Sequence, residues 1–322
     1  MLKHFLLVLS LIFSPLAFAD WKPTKTIEVT VPFPPGSGND LIIRPLIERV
    51  EKNTGAKFIV VNRPGGGGTV GTTQFSKKQS DDHAIAVISV AGFAAMDKLF
   101  FAIQKDTPYT LNNFDYVMAV GQAPCVITTS IDDPVSTPKE LHNVLLKEKV
   151  VVADSGAACR LGLETLLIQS GARDKNLNLT RVEHKGPAET AVDVIGKHVR
   201  FGIMPLSIAT IQARSGKLKI IAATNQQSIG GVATVSSISP NVDVSVVWGI
   251  VTPAGVSKDA VNWYAREFTK ALNDPSIDPF YKENMFFKPS KNLTLPEKFK
   301  EYVYGQEKLH QPVMDFIIKN IK

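Results

Sequence analysis

The stretch whose residue types and spacing could do chemistry is Pro32-Phe33-Pro34-Pro35-Gly36-Ser37-Gly38-Asn39-Asp40. It joins a β-branched strand directly to a helix. Glycines let backbone come close to a ligand. The first turn of a helix carries unpaired N–H donors and the positive end of the dipole. Together these make an anion site that needs no charged side chain. The plainer reading is a strand-to-helix turn in which Asn39 or Asp40 caps the helix.

Other constellations are weaker. Gly66-Gly67-Gly68-Thr69-Val70-Gly71 has G-x-G-x-x-G spacing, but Asn62-Arg63-Pro64 separates it from the preceding strand. No acidic residue ends a strand about 20 residues later, so a dinucleotide site is disfavoured. His83, His142, His184, His198 and His310 are scattered without metal-ligand spacing. Neither a G-x-S-x-G elbow nor a G-x-x-x-x-G-K-[ST] phosphate loop occurs. No catalytic, metal or cofactor site is expected. Cys125 and Cys159 are the only cysteines. In an oxidising compartment they can form one disulfide, with two separate buried thiols as the alternative.

The compartment is legible at the start of the chain. Lys3 and His4 are followed by an almost wholly apolar run from Phe5 to Phe18, and Ala17-Phe18-Ala19 puts small residues at the −3 and −1 positions. That is the order of a cleaved secretory signal peptide over 1–19. The run is shorter than the roughly 20 residues a membrane-spanning helix needs. No cysteine follows it to carry a lipid. A mature chain starting at Asp20 in the periplasm is expected. The net charge of +6 is spread without an Arg/Lys run, which argues against nucleic acid as a partner. At 322 residues the chain exceeds what one core usually holds, which favours two lobes.

The elements that must position the glycine loop follow a β-α rhythm. Strands are predicted at Thr26 to Val31, Phe58 to Val61 and Ala84 to Ser89, with helices from Asp40 to Gly55 and from Thr72 to Lys78. The rhythm repeats with strands at Val150 to Ala153, Thr180 to His184, Val199 to Met204 and Lys219 to Thr224. Its helices run from Leu161 to Ser170, Ala188 to Gly196 and Ser207 to Arg214. Tyr116 to Thr129 and Val244 to Pro253 read as long extended segments that cross between lobes and back. Pro45 predicts an irregular start to the first helix. The C-terminal third is helical with breaks at Pro275, Pro289 and Pro296.

Taken in order, several segments resemble the Bug family, the extracytoplasmic solute receptors of tripartite tricarboxylate transporters. A PF-x-x-G-G-x-x-D loop stands here as Pro32 to Asp40, and N-R-P-G-x-G-G-x-x-G as Asn62 to Gly71. His184-Lys185-Gly186-Pro187-Ala188, Arg214 to Lys219 and Trp248 to Gly255 are similar to later family segments. The resemblance implies an α/β, two-lobed periplasmic-binding-protein fold (type II-like) with a two-segment hinge, each lobe a mainly parallel sheet flanked by helices. The corresponding division is 20–123 plus 250–322 for lobe 1 and 124–249 for lobe 2. It further implies that Pro34, Pro35, Gly36, Ser37, Gly38, Asn39 and Asp40, with Ser89, Val90 and Ala91, contribute to ligand binding from one lobe. From the other come Ser155, Gly156, Ala157, Arg160, Met204 and Pro205.

The implied function is capture of a small carboxylate by a monomeric receptor. Its partners would be the membrane subunits of a tripartite transporter or, in the alternative, a membrane sensor. An exported enzyme would need an acid–base pair facing the cleft, and these segments offer only Asp40, Arg160, His184 and Lys185. Three positions depart from the family: Ile203-Met204-Pro205 where a polar residue is usual, His184 in place of Tyr, and Arg160. They predict a ligand with one carboxylate, held by the glycine loop, and a less polar remainder. Arg160, on a helix's first turn, is expected to be solvated.

Overall fold

The structure is a computed structural model that describes residues 21–78, 80–95, 108–175, 179–226, 228–229 and 231–320. The signal peptide expected over 1–19, and with it the start at Asp20, lies outside them. Strands β1 (Ile27–Val31), β2 (Phe58–Asn62) and β3 (Ala84–Ser89) are parallel and alternate with α1 (Gly38–Thr54) and α2 (Thr69–Ser76). After the long β4 (Phe114–Ser130) and α3 (Pro138–Lys147) a second unit follows. It comprises β5 (Val150–Asp154), α4 (Ala157–Gln169), β6 (Leu179–Glu183), α5 (Pro187–Ile195), β7 (Phe201–Pro205), α6 (Leu206–Ala213) and β8 (Leu218–Ala223). There β5, β6 and β7 are parallel. β3 and β7 are apolar almost without interruption, because helices cover both faces of a parallel sheet.

The two lobes meet on β4 and on β9 (Ser245–Pro253), which run antiparallel. Strand order is β2-β1-β3-β9-β4-β7-β5-β6, with β8 also on β4. From Phe114 to Pro124, β4 pairs with β9; from Cys125 it pairs with β7, and from Val126 with β8. The change of partner falls at Pro124, which has no N–H to donate to a ladder. Trp248 on β9 is fully buried at this crossing and packs edge-on against Phe286, centroids 5.2 Å apart. The helices α7 (Lys258–Asn273) and α8 (Pro296–Asn320) pack on β4, and α8 also reaches α4 of the second lobe.

Helices begin earlier than the periodicity predicts. The cap of α1 is Ser37, whose hydroxyl accepts the Asp40 N–H at 3.4 Å, and not Asn39 or Asp40. α2 starts at Thr69 and α4 at Ala157, ahead of the expected Thr72 and Leu161. Gly68 (φ 100°) and Gly156 (φ 119°) turn the chain into these helices through a backbone conformation that other residues avoid. α1 continues through Pro45, which only forfeits the bond to the Leu41 carbonyl.

One buried histidine makes stability depend on pH. His310 on α8 is 4% exposed and its Nε2 has no hydrogen-bond partner; burial pushes the imidazole down to about 4. Between pH 6.5 and 4 the unfolded chain takes up a proton that the folded one refuses. Stability therefore falls as pH falls through this window and levels off below it. The expected loss is roughly 2 kcal/mol at pH 5. Urea melts at pH 7 and pH 5 should show a smaller difference for His310→Gln than for the native chain; an equal difference would refute the assignment.

Candidate functional site

The lobes touch across a cleft through backbone-thin contacts. A Cβ at Gly92, which follows β3, would lie 2.7 Å from the Ala157 Cβ and 3.1 Å from the Ala158 nitrogen on α4. Phe33 packs toward Gly156, Pro34 toward Gly186, and the Glu183 carboxylate reaches the backbone of Gly67. Between them remains a small cavity of about 50 Å³ that opens to solvent.

Of the expected site residues, the cleft brings together Ser37, Gly38, Asn39, Ser89, Ser155, Gly156, Ala157 and Pro205. Others fall outside the lining. Pro35 and Gly36 are exposed on the outer side of the loop, Val90 and Ala91 pack in the core, and Asp40 turns away to Arg44 and Asn62. Met204 is fully buried among Val126, Ala153 and Leu206, so the reasoning that placed it against the ligand does not hold. Neighbouring strand residues face opposite sides, and its side chain belongs to the sheet face turned from the cleft. His184 is bound to Asp193 at 2.8 Å. Residues outside the expected ligand-binding set also line the space: Phe33, Gly67, Gly68, Phe93, Tyr109 and Trp248. Phe33, Gly67, Gly68 and Trp248 stood in the family-like segments, which was a usable signal; Phe93 and Tyr109, stacked at 5.3 Å, carried none.

On the first lobe the polar side chains are already engaged. Asn39 Oδ1 accepts from the Ser89 hydroxyl (3.0 Å) and from Trp248 Nε1 (3.1 Å), while its Nδ2 donates to the Val87 carbonyl at 2.7 Å. The Thr69 and Thr72 hydroxyls donate to the Gly66 and Gly68 carbonyls, and the Tyr109 hydroxyl donates to that of Phe93. Asp40 places a carboxylate in the first turn of α1, where it accepts the Gly36 N–H at 3.0 Å. Burial alone would raise its pKa, but Arg44, the Gly36 N–H and Asn62 together hold it below the ordinary carboxylate value.

The second lobe is different. Ser155 is 7% exposed, lines the cleft, and its hydroxyl has no partner. The α4 cap, Gly156, supplies no side chain, so the Ala157 and Ala158 amides have no acceptor within the helix. Behind this turn lies a cluster of ionised groups. Arg181 pairs with the fully buried Asp154 and lies 3.5 Å from Glu183 and 3.9 Å from Glu164, to which Arg173 also binds. Burial pushes the Asp154 carboxyl up against the pull of Arg181. Arg160 is not solvated as expected: its side chain is 14% exposed, lies 3.6 Å from Glu183, and keeps Nε without a partner. Burial, then the like charge of Arg181, lowers its pKa, but an arginine stays charged. Cys159, beside it in the first turn of α4, is bridged to Cys125 on the hinge strand, with Cα atoms 5.5 Å apart.

Among the described residues no cluster of His, Cys, Asp and Glu is arranged to hold a metal ion, and no helix is long and apolar enough to cross a membrane. Comparison with known proteins agrees with this architecture. BugT of Bordetella pertussis is 24% identical over 268 residues, covering 80% of each chain. The periplasmic binding protein BugD superposes with a TM-score of 0.80 at 25% identity, over 91% of this chain and 98% of that one. R. palustris Rpa4515, solved with adipate, has a TM-score of 0.82 at 18% identity, over 92% and 98% of the two chains. Residues 42–293 match the family described as tripartite tricarboxylate transporter family receptor, and the chain belongs to that family of solute-binding receptors.

Proposed function

We propose that the chain is cleaved after Ala19 and works in the periplasm as a monomeric receptor. Its lobes, 20–123 with 250–322 and 124–249, close on one small carboxylate. The ligand passes unchanged to the membrane subunits of a tripartite transporter. The observation that carries this reading is the convergence of helix starts. Residues at the N-terminal ends of α1, α2, α4, α5 and α6 all line the same cleft. Helix starts favour an anion without a charged side chain. The adipate held by Rpa4515 is a carboxylate in the same fold. Ser37, Gly38, Asn39, Ser89, Ser155, Gly156, Ala157 and Pro205 are the residues proposed to face the ligand.

A thermal-shift and calorimetric screen over mono-, di- and tricarboxylates tests this. A micromolar site corresponds to about −8 kcal/mol, and ligand at 100 times Kd should add about 2.7 kcal/mol to stability. The bound compound should be recovered unaltered. If no carboxylate shifts the unfolding midpoint, the receptor reading fails. Mass spectrometry of the exported protein should find Asp20 at its start; an intact Met1 would contradict the cleavage.

A further inference from the structure

Resting on the receptor reading, we propose that Glu183 is a latch across the mouth of the cleft. Held by Arg160 and Arg181 of its own lobe, its carboxylate seats on the Gly67 turn of the other lobe and favours closure whatever the ligand. Of the lobe-to-lobe contacts described above, Gly92 on Ala157, Phe33 on Gly156 and Pro34 on Gly186 join apolar or backbone atoms. The contact at Gly67 carries charge. A Cβ there would lie 3.4 Å from Glu183 Oε1 and 3.8 Å from the Ala157 nitrogen, so the glycine lets the carboxylate approach bare backbone. The turn is stiff. Gly65, Gly66, Gly67 and Gly68 have φ of 138°, 55°, 62° and 100°, a run that glycine follows readily. The Gly68 and Val70 N–H groups donate to the Gly65 carbonyl, and the Thr69 hydroxyl donates to that of Gly66. It leads into α2, so the positive end of that helix dipole lies beside the carboxylate.

On the second lobe Glu183 ends β6, in register with Asp154 at the end of β5. Two carboxylates side by side repel. Arg181 holds them together, bound to Asp154 and 3.5 Å from Glu183. Arg160, its side chain 14% exposed, lies 3.6 Å from Glu183 on the other side. With Glu164 and Arg173 the cluster sets three carboxylates against three guanidiniums. Glu183 supplies the third negative charge. Its side chain is 38% exposed, and it is the member that reaches the opposite lobe. Without it, closure would cover Arg160 and Arg181 with a positive charge left over, which is costly. Glu183 is not among the residues lining the cavity, so the latch acts on closure and leaves ligand recognition to others. It is a positioning residue.

Small-angle scattering on the mature full-length chain without ligand tests this. The native protein is compared with Glu183→Gln, Glu183→Lys and the control Glu148→Gln, which removes an ion pair to Arg200 within the same lobe. Both Glu183 variants should have a larger radius of gyration than the native chain, Glu183→Lys the larger, and the control should match the native. In 1 M salt, where the screening length falls to about 3 Å, the native radius should rise toward that of Glu183→Gln. If Glu183→Lys fails to fold, Glu183→Gln carries the comparison. Calorimetry with adipate and with benzoate gives a second reading. Glu183→Gln should raise the apparent Kd of both by the same factor, roughly tenfold, because it lowers the fraction competent to close and removes no contact with either compound. Equal radii for the native chain and Glu183→Gln, or unequal losses for two compounds that the native chain binds, overturn the inference and leave the receptor reading standing. If the native chain binds only one of the two, the radii decide. If no carboxylate binds at all, the receptor reading fails and the radii still decide the latch.

Discussion

Gly92→Val is expected to weaken carboxylate binding on the order of 100-fold while leaving the ligand-free protein as stable as before. The first added carbon would already sit 2.7 Å from the Ala157 Cβ and 3.1 Å from the Ala158 nitrogen, both on the opposite lobe. Overpacking a well-fitted contact costs roughly 1–3 kcal/mol, and a receptor whose binding-competent state is disfavoured loses apparent affinity in proportion. Here that state is the closed one. Within its own lobe Gly92 lies in a helical stretch, residues 90–95, where glycine is about 1 kcal/mol worse than alanine. The substitution should therefore hold or slightly raise the unfolding midpoint without ligand. Scattering with ligand present should show that the variant does not compact. Native affinity in Gly92→Val would mean that the lobes do not need this contact to close.

Removing the Cys125–Cys159 bridge is expected to cost about 4 kcal/mol of stability, from the loop-closure entropy of a 34-residue separation. It should also cost affinity. Cys159 is in the first turn of α4, two residues after Ala157, and Cys125 is the residue at which β4 leaves β9 for β7. The bridge ties a turn that lines the cleft to the strand on which the lobes meet. Urea melts of the double variant Cys125→Ala/Cys159→Ala, and of the native protein with a reductant, should both shift to lower midpoints. Calorimetry should show weaker binding at temperatures where the variant is still folded. Two titratable thiols in the native protein as isolated from the periplasm would sink the prediction.

Substituting the loop glycines would mix these two kinds of effect. A side chain at Gly38 would run into the Trp248 ring at 2.4 Å, in the core at the lobe crossing, so Gly38→Val disturbs folding as well as binding. Gly36 has open space around it but a φ of 78°, so a β-branched residue there meets backbone strain alone. Gly92 separates the effects because its neighbour belongs to the other lobe.

The pattern of strands and helices was legible in the residues because it rests on local periodicity, and so was the crossing of two long apolar segments. Family-like segments such as Pro32 to Asp40 and Asn62 to Gly71 pointed to the loops that form one wall of the cleft. Helix starts were placed late at α1, α2 and α4, since Gly38, Thr69 and Ala157 are small residues that contribute nothing to an apolar stripe. Those missing residues are among the ones that line the cleft. The sequence alone could say that a glycine loop precedes a helix, because that depends on neighbours along the chain. Only the tertiary structure decides which donors stay free: Asn39 is satisfied by Val87, Ser89 and Trp248, at separations of 48, 50 and 209 residues, while Ser155 is satisfied by nothing. Hydrogen-bond saturation is a property of the assembled fold, which neighbours along the chain do not reveal.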